Sequence, residues 1–252
     1  MSQQDIIKAL QDYTTCDVSD ALCKLKYHNG GFLPGLTMWS PQRQDGPTKI
    51  VGPAYTVKYV PVDDPAPKHP THYVRASTFV SYLPRPVRNG TADIKDTQID
   101  SVPAGAVVFV SAPAGTPNAV YGGLMSTRAR ALGAVGSVVD GRFRDVQEQR
   151  ALDYPVFARD VGTAPPAPLL KVAGVNVPVT LQQQPQGEEG MLLTVRPGDY
   201  LIGDVNGVVV LPAEVAEQAL SLMRKQVEAD EQMAVAIQGG MGFSEASKKF
   251  RS

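Results

Sequence analysis

Gly122-Gly123-Leu124-Met125 and, 22 residues after Gly122, the pair Arg144-Asp145 are the residues of this chain best suited to chemistry. The glycines open a helical pattern. The first N–H groups of a helix lack intrahelical partners, and the helix dipole favours an anion there. Glycine also lets a ligand approach the backbone with no Cβ in the way. The amides of Gly122, Gly123, Leu124 and Met125 could therefore hold a carboxylate. The plainer reading is that Gly122-Gly123 only permits a tight strand-to-helix turn. In Asp140-Gly141-Arg142-Phe143-Arg144-Asp145, read as a turn, Arg144 supplies a planar fork that can grip a carboxylate. Asp145 supplies a hard oxygen donor of the kind Mg²⁺ takes. Asp140, at the end of an apolar strand, would orient Arg144 or Arg142 or meet a water on a metal. Arg142 would face solvent or a neighbouring subunit. Each residue alone reads as a cap or an ion pair. Together they point to a site for a small carboxylate and a hard metal ion.

Other chemistries fit less well. The chain holds no GxxxxGK[ST], GxGxxG or GxSxG segment, which argues against a phosphate loop, a dinucleotide loop and a serine-hydrolase elbow. Of its histidines, His69 and His72 fall in a proline-rich stretch and read as a solvated loop, and His28 stands apart. Lys58 reads as an outward-facing strand residue, and no lysine lies within the glycine or Arg-Asp segments. Cys16 and Cys23 have no CxxC spacing and no histidine cluster nearby. They read as free thiols, buried or half-buried, rather than a zinc site. A net charge of −1 offers no field for nucleic acid or an anionic membrane. No apolar run approaches the ~18 residues of a membrane span. The first residues lack the charge and apolar run of a secretory signal, so a cytoplasmic protein is expected. Asn89-Gly90-Thr91 then reads as a turn rather than a glycosylation site.

The elements that must position these residues follow from periodicity. With 252 residues, 43% of them hydrophobic and 19% charged, the chain can bury a substantial core, and it reads as one domain, 1–252. Helices are expected at 4–13 and 14–25, the second capped by Thr15 or Asp17. A strand is expected at 50–60, with Gly52-Pro53 marking a bulge, break or edge. Residues 61–103 form a Pro-rich excursion holding one helix or strand at 71–83. A βαβαβ run then follows: strand 106–111, helix 123–132 ended by Gly133, strand 135–139, helix 144–152, strand 155–158. Short connections of this kind imply a largely parallel sheet, with ligands where strands end and helices begin. Short strands at 172–179, 192–195, 200–203 and 208–211 suggest a β-rich layer, with Asp199 and Asp204 as turn residues. A helix at about 213–237 carries Val215, Ala219, Leu222, Met223, Val227 and Met233 on one face, as core or subunit contact. The last dozen residues are polar and would fray or embrace a neighbour.

Five segments taken in order resemble the RraA-like proteins, which include the 4-hydroxy-4-methyl-2-oxoglutarate aldolases that also decarboxylate oxaloacetate. They are Asp17-Val18-Ser19-Asp20-Ala21-Leu22; Gly122 through Ala129; Asp140 through Asp145; Tyr154 through Arg159; and Pro197-Gly198-Asp199 through Gly207-Val208-Val209-Val210-Leu211-Pro212. They span most of the chain outside 61–103. The resemblance implies an α/β fold, a swivelling β/β/α sandwich, assembled as a homotrimer or a dimer of trimers with sites near subunit interfaces. It implies a divalent metal, Mg²⁺ or Mn²⁺, held by Asp145, and a small 2-oxo acid substrate bound by Arg144 and the backbone of Gly122, Gly123, Leu124 and Met125. It makes Arg144 and Asp145 catalytic. The implied reaction is C–C lysis of a 4-hydroxy-2-oxo acid, or loss of carbon dioxide from oxaloacetate, through a pyruvate enolate. One branch of the family lacks the acidic metal position and acts on a ribonuclease. That gives the alternative, a non-enzymatic regulator binding a protein or ribonucleoprotein partner. This chain keeps Asp145, which favours the lyase.

Overall fold

β-Branched apolar runs through the middle of the chain pair into one nine-stranded sheet in the computed structural model, which describes residues 1–66, 98–182 and 192–251. The elements are α1 (Gln3–Leu10), α2 (Thr15–Lys24), β1 (Thr37–Ser40), β2 (Ile50–Pro61), β3 (Val107–Ser111), β4 (Ala119–Tyr121), α3 (Gly123–Ala131), β5 (Gly136–Phe143), α4 (Val146–Ala151), β6 (Val156–Val161), β7 (Leu170–Val175), β8 (Val179–Gln182), β9 (Leu192–Val195), β10 (Tyr200–Asp204), β11 (Gly207–Leu211), α5 (Ala216–Gln238) and α6 (Phe243–Phe250). The element expected at 71–83, with His69, His72 and Asn89, lies outside the described residues. Among those described, no helix is long and apolar enough to cross a membrane.

The sheet runs β1-β6-β5-β3-β2-β10-β11, with β4 added to β5 and β7 to β2. Its centre is parallel, as the βαβαβ run requires: β2 with β3, β3 with β5, β5 with β6. The sheet as a whole is mixed rather than largely parallel. β10 and β11 are joined by a tight turn at Val205-Asn206, and a hairpin can only pair antiparallel. β1, β7 and β10 also join their neighbours antiparallel. Just before β1, Phe32 bridges Val209 and the Leu33 amide donates to the Val208 carbonyl at 2.9 Å. The β1 and β11 ends of the sheet are thereby tied together into a nearly closed barrel. Gly52-Pro53 neither breaks nor ends β2. It marks a change of partner, since Ile50 to Pro53 pair with β10 and Ala54 to Lys58 with β3.

Three apolar clusters hold these layers. One packs Val108, Val110, Val139, Phe143 and Tyr121 of the sheet against Ala129, Met125, Leu132 and Val146 of the α3 and α4 region. A second, with Val107, Phe109, Val138, Phe157 and Leu201, fills the inside of the barrel. A third joins Val51, Ile202 and Val209 to α1, α2 and α5 through Leu10, Val18, Leu22, Ala219 and Met223. Thr14, not Thr15 or Asp17, is the α2 N-cap. Its hydroxyl oxygen accepts from the Asp17 amide at 3.2 Å, and Asp17 returns the bond to the Thr14 amide at 2.7 Å, a reciprocal capping box. Thr15 instead donates its amide and hydroxyl to Asp204 at 2.8 and 2.7 Å. Cys16 and Cys23 are free and exposed rather than buried. Val18, Ala21 and Leu22 occupy the core face of α2, and two residues seven apart share the opposite face. In α5 the buried positions are Ala216, Ala219, Leu220, Gln226, Met223 and Met233. The final segment is not frayed but helical, as α6.

Candidate active site

Parallel pairing closes the distance between the two halves of the glycine and Arg-Asp pattern. β4 and β5 place Tyr121 opposite Phe143. The residues that follow, Gly122 and Arg144, therefore leave the sheet side by side, and the Arg144 amide still donates to the Tyr121 carbonyl at 2.9 Å. β5 is longer than its apolar core suggests. Asp140 and Gly141 continue the strand to Phe143 instead of turning. The turn falls at Asp145, the N-cap of α4, whose backbone is left-handed at φ 64 and ψ 43. Aspartate tolerates that region better than most side chains, at some cost in strain. Arg144 accordingly lies between β5 and α4, outside both, and α4 begins at Val146.

The left-handed turn sends the Asp145 side chain away from its own helix. Asp145 makes no capping bond to α4. Its Oδ2 accepts the Gly123 amide of α3 at 3.0 Å and lies 3.5 Å from Arg144 Nε. The start of α3 does bind an anion, and the anion is this carboxylate. The Met125 amide is also engaged, donating to the Gly122 carbonyl at 3.0 Å. Of the four backbone groups considered for a substrate carboxylate, the Gly123 and Met125 amides thus have partners within the chain. Leu124, which is 70% exposed, marks the open side of the corner.

Neither glycine is demanded by its own backbone. Gly122 is extended, with φ −150 and ψ 178, and Gly123 begins an ordinary α-helix. Each is crowded instead by a side chain that lies over it. A Cβ on Gly122 would stand 2.7 Å from Asp145 Oδ2 and 3.4 Å from Arg144 Nε. A Cβ on Gly123 would stand 1.9 Å from Glu148 Oε2. Two carboxylates therefore fill the space two side chains would take. The pattern reading did not single out Glu148. The signal was its spacing, one helical turn after Asp145. Gln149, fully buried, was also missed. Its Nε2 donates to the Arg144 carbonyl at 3.4 Å and its amide to the Asp145 carbonyl at 3.1 Å, while its Oε1 has no partner. It braces the backbone of the Arg-Asp turn from beneath.

Arg144 uses only part of its guanidinium. Besides the Asp145 contact, Nη1 donates to the Thr163 carbonyl at 3.4 Å, and its side chain is 23% exposed. Asp140 orients neither Arg142 nor Arg144. It is buried and paired with Arg159 Nε, and Ser111 Oγ lies 3.4 Å from its other oxygen. Burial raises its pKa, with Arg159 pulling the other way. Arg142 is paired within the chain, to Asp160 Oδ2 and the Val161 carbonyl, both at 2.6 Å. Register explains this, because Arg142 and Asp160 are opposite one another on β5 and β6. Asp199 is indeed a turn residue, accepting the Arg196 and Ala213 amides at 2.8 and 3.2 Å. Lys58 is exposed, as expected.

The donor chemistry suits a hard divalent cation: carboxylate oxygens of Asp145 and Glu148 held over two glycines that a Cβ would fill. Among the described residues no three His, Cys, Asp or Glu side chains gather as a metal group. Two carboxylates, with water or substrate completing the shell, is the manner in which Mg²⁺ is commonly held.

Comparison with known proteins adds to this geometry. The family model for RraA-like proteins, described as aldolase/RraA, matches residues 15–210. Over 133 residues the chain is 32% identical to a protein of Halalkalibacterium halodurans provisionally named a 4-hydroxy-4-methyl-2-oxoglutarate aldolase, covering 53% of this chain and 59% of that protein. Protein DlpA of Legionella pneumophila is 24% identical over 246 residues, which is 98% of this chain and 34% of that protein. The chain thus spans about half the length of the curated relatives it matches (59%, 34% and 49% of three of them). Among solved structures, an uncharacterised protein of Pseudomonas syringae superposes with a TM-score of 0.71 at 26% identity, over 96% of both chains. RraAS2 of Streptomyces coelicolor, described as an unusual member of the RNase ES inhibitor RraA protein family, superposes with a TM-score of 0.64 at 21% identity. That match covers 90% of this chain and 94% of the other and bears on the fold alone.

Proposed function

This chain belongs to the RraA-like family, and from that premise we propose that it is a divalent-metal-dependent carbon–carbon lyase acting on small 2-oxo acids. The observation that carries the reading is the Asp145 corner. A residue in a strained left-handed conformation forgoes capping its own helix and delivers its carboxylate to the start of another, beside Arg144. Strain of that kind is kept where the surroundings over-determine it, often at functional sites. The provisional aldolase name of the 32%-identical relative agrees with the reading.

Asp145 would hold the cation, Mg²⁺ or Mn²⁺, which when bound polarises the substrate carbonyl as a Lewis acid. Arg144 would receive the substrate carboxylate on the edge of its guanidinium that the Asp145 and Thr163 contacts leave open. The backbone of Gly122, Gly123, Leu124 and Met125 would line the floor. Leu124 would present its amide, and the positive end of α3 would favour negative charge developing on the three-carbon fragment. Cleavage of a 4-hydroxy-4-methyl-2-oxoglutarate-type substrate and decarboxylation of oxaloacetate place that charge on the same fragment, so one corner can serve both. A homotrimer or a dimer of trimers in the cytoplasm belongs to the same proposal.

The test follows pyruvate release from oxaloacetate and from a 4-hydroxy-4-methyl-2-oxoglutarate-type substrate with Mg²⁺, Mn²⁺ or EDTA, with metal-only decay subtracted, for the wild type and Asp145→Asn. Asparagine keeps the size of the side chain and its tolerance of the left-handed turn. Metal-dependent turnover that is lost in the variant supports the lyase. Folded protein with no turnover on either substrate class refutes it and leaves the regulator reading, for which partner capture is the next measurement.

A further inference from the structure

We propose that Arg142 decides which 2-oxo acid the corner takes, by holding the far carboxylate of a five-carbon diacid whose near carboxylate Arg144 binds. The proposal rests on the reading of the corner as a 2-oxo acid site. Arg142 and Arg144 flank the fully buried Phe143. Both lean on one stretch of chain, Val161 to Thr163. Arg142 Nη1 donates to the Val161 carbonyl at 2.6 Å, and Arg144 Nη1 to the Thr163 carbonyl at 3.4 Å. Residues two apart stand at most about 7 Å from one another. Between them the Gly162 amide donates to the Phe143 carbonyl at 2.8 Å, which fixes the stretch against the end of β5. The Arg142 stem lies across Gly162, where a Cβ would stand 3.3 Å from Arg142 Cβ and 3.4 Å from its Cδ.

An acid of the 4-hydroxy-4-methyl-2-oxoglutarate type carries carboxylates at C1 and C5, about 5 Å apart when extended. Arg144 meets one of them, and Arg142 brings a second fork within that span. Among the described residues Arg142 bonds only through Nη1, and its side-chain partner is Asp160 Oδ2 at 2.6 Å. The pair is 38% and 47% exposed, and exposed pairs hold weakly. Nε and Nη2 are left for a carboxylate, which takes two parallel bonds from such a fork. When the C3–C4 bond breaks, its electron pair passes to the enolate fragment. The C4 hydroxyl passes its proton to water, C4 becomes a carbonyl, and C5 stays attached with its charge. A grip on C5 therefore lasts through the reaction. In oxaloacetate the second carboxylate is one bond nearer and is the group that leaves as carbon dioxide. A grip there would favour a charge that the reaction must remove. The Arg142 fork thus favours the longer acid.

The experiment measures binding by calorimetry on the intact chain with Mg²⁺ present. It compares 2-oxoglutarate, which has both carboxylates but no C4 hydroxyl from which cleavage could start, with 2-oxopentanoate, the same chain ending in a methyl group. The proteins are the wild type, Arg142→Gln, Arg142→Lys and Asp160→Asn, with circular dichroism to report folding. The wild type is expected to bind 2-oxoglutarate about tenfold or more tighter than 2-oxopentanoate, because a site built for a polar group rejects the analogue that lacks it. Arg142→Gln should abolish that preference, and Arg142→Lys, charged but without the fork, should keep part of it. Asp160→Asn removes the ion pair and leaves the guanidinium on the Val161 carbonyl, so the preference should remain. A preference undiminished in Arg142→Gln, or lost equally in Asp160→Asn, overturns the proposal and leaves the 2-oxo acid site standing. A wild type that binds the two acids alike does the same. A wild type that binds neither removes the reading of the corner, and the proposal with it.

Discussion

Replacing Gly122 by alanine isolates the Asp145 corner from everything else in the fold. The backbone there is extended, at φ −150 and ψ 178, so alanine adds no conformational strain. Its Cβ would stand 2.7 Å from Asp145 Oδ2, an approach a carboxylate relieves by moving away. Moving breaks the 3.0 Å bond to the Gly123 amide. A hydrogen bond to a charged group is worth about 1.5–3 kcal/mol when desolvated. Here the Asp145 side chain is 35% exposed, water replaces much of the loss, and about 1 kcal/mol is the larger end of what should appear. For a chain of this size that is roughly 2–4 °C in Tm. Activity should suffer more, because misplacing a reacting group by about 1 Å costs on the order of 100-fold. Gly133→Ala is the matched control. Gly133 sits at φ +87 in the turn that ends α3, its amide on Arg130 and the next amide on Ala129. Alanine there costs roughly 1–2 kcal/mol in strain with no effect on the corner. Coupled pyruvate assays and thermal melts of both variants should therefore split: Gly122→Ala mildly destabilised and nearly inactive, Gly133→Ala less stable and active. A Gly122→Ala protein with wild-type kcat/KM would refute the claim that the carboxylate must occupy this position.

Three further outcomes are expected. Arg144→Lys keeps the charge and loses the planar fork, so kcat/KM for oxaloacetate should fall about 10- to 100-fold while the Tm holds; equal steady-state constants would reduce Arg144 to a structural ion pair. Gln149→Leu should lower kcat through a displaced Arg-Asp turn, yet cost little stability, since it removes a buried oxygen that has no partner; a fall in Tm with kcat intact would contradict the bracing role. Tyr55 donates its hydroxyl to the Gln98 carbonyl at 2.9 Å, and burial pushes its pKa up to about 12 from the usual 10.0. A folded-state pKa raised in this way stabilises below pH 10 and is lost as pH rises to 12. Denaturant melts of the wild type should weaken across that window, and Tyr55→Phe should weaken less steeply; parallel curves would show that Tyr55 contributes nothing.

Much of this was legible in residue pattern. Val107–Ser111, α3 with Gly133 behind it, and the β10–β11 hairpin are local: periodicity and turn residues decide them. What escaped depended on partners far along the chain. β4 is three residues long and exists because Tyr121 finds Phe143. β5 runs on through Asp140 and Gly141 because Arg159 neutralises Asp140 and Asp160 answers Arg142. An Asp-Gly pair otherwise signals a turn, and no window of sequence contains the two strands that overrule it. Residues 144–152 carry a helical pattern, and only the left-handed angle at Asp145 separates Arg144 from that helix. Glu148 was in view as a helix residue. Its importance lay in the absence of a side chain at Gly123, a feature visible only when two helices are placed together.

The 22 residues between Gly122 and Arg144 are thus set by pairing rather than by the length of any loop. Tyr121 and Phe143 are register partners with the same separation, so the spacing of the motif is the register of two parallel strands carried one residue beyond the sheet. Parallel strands need a crossover to return the chain, and α3 with its glycine-terminated end is that crossover. The helix that brings Arg144 back to Gly122 is the same helix whose start receives Asp145. Its dipole favours negative charge at that start. Backbone pairing brings the two halves of the corner together, and the Asp145 side chain joins them. A substitution that preserves the Tyr121–Phe143 register leaves the two halves facing each other, and what remains to be determined chemically is which carboxylates the glycines allow in.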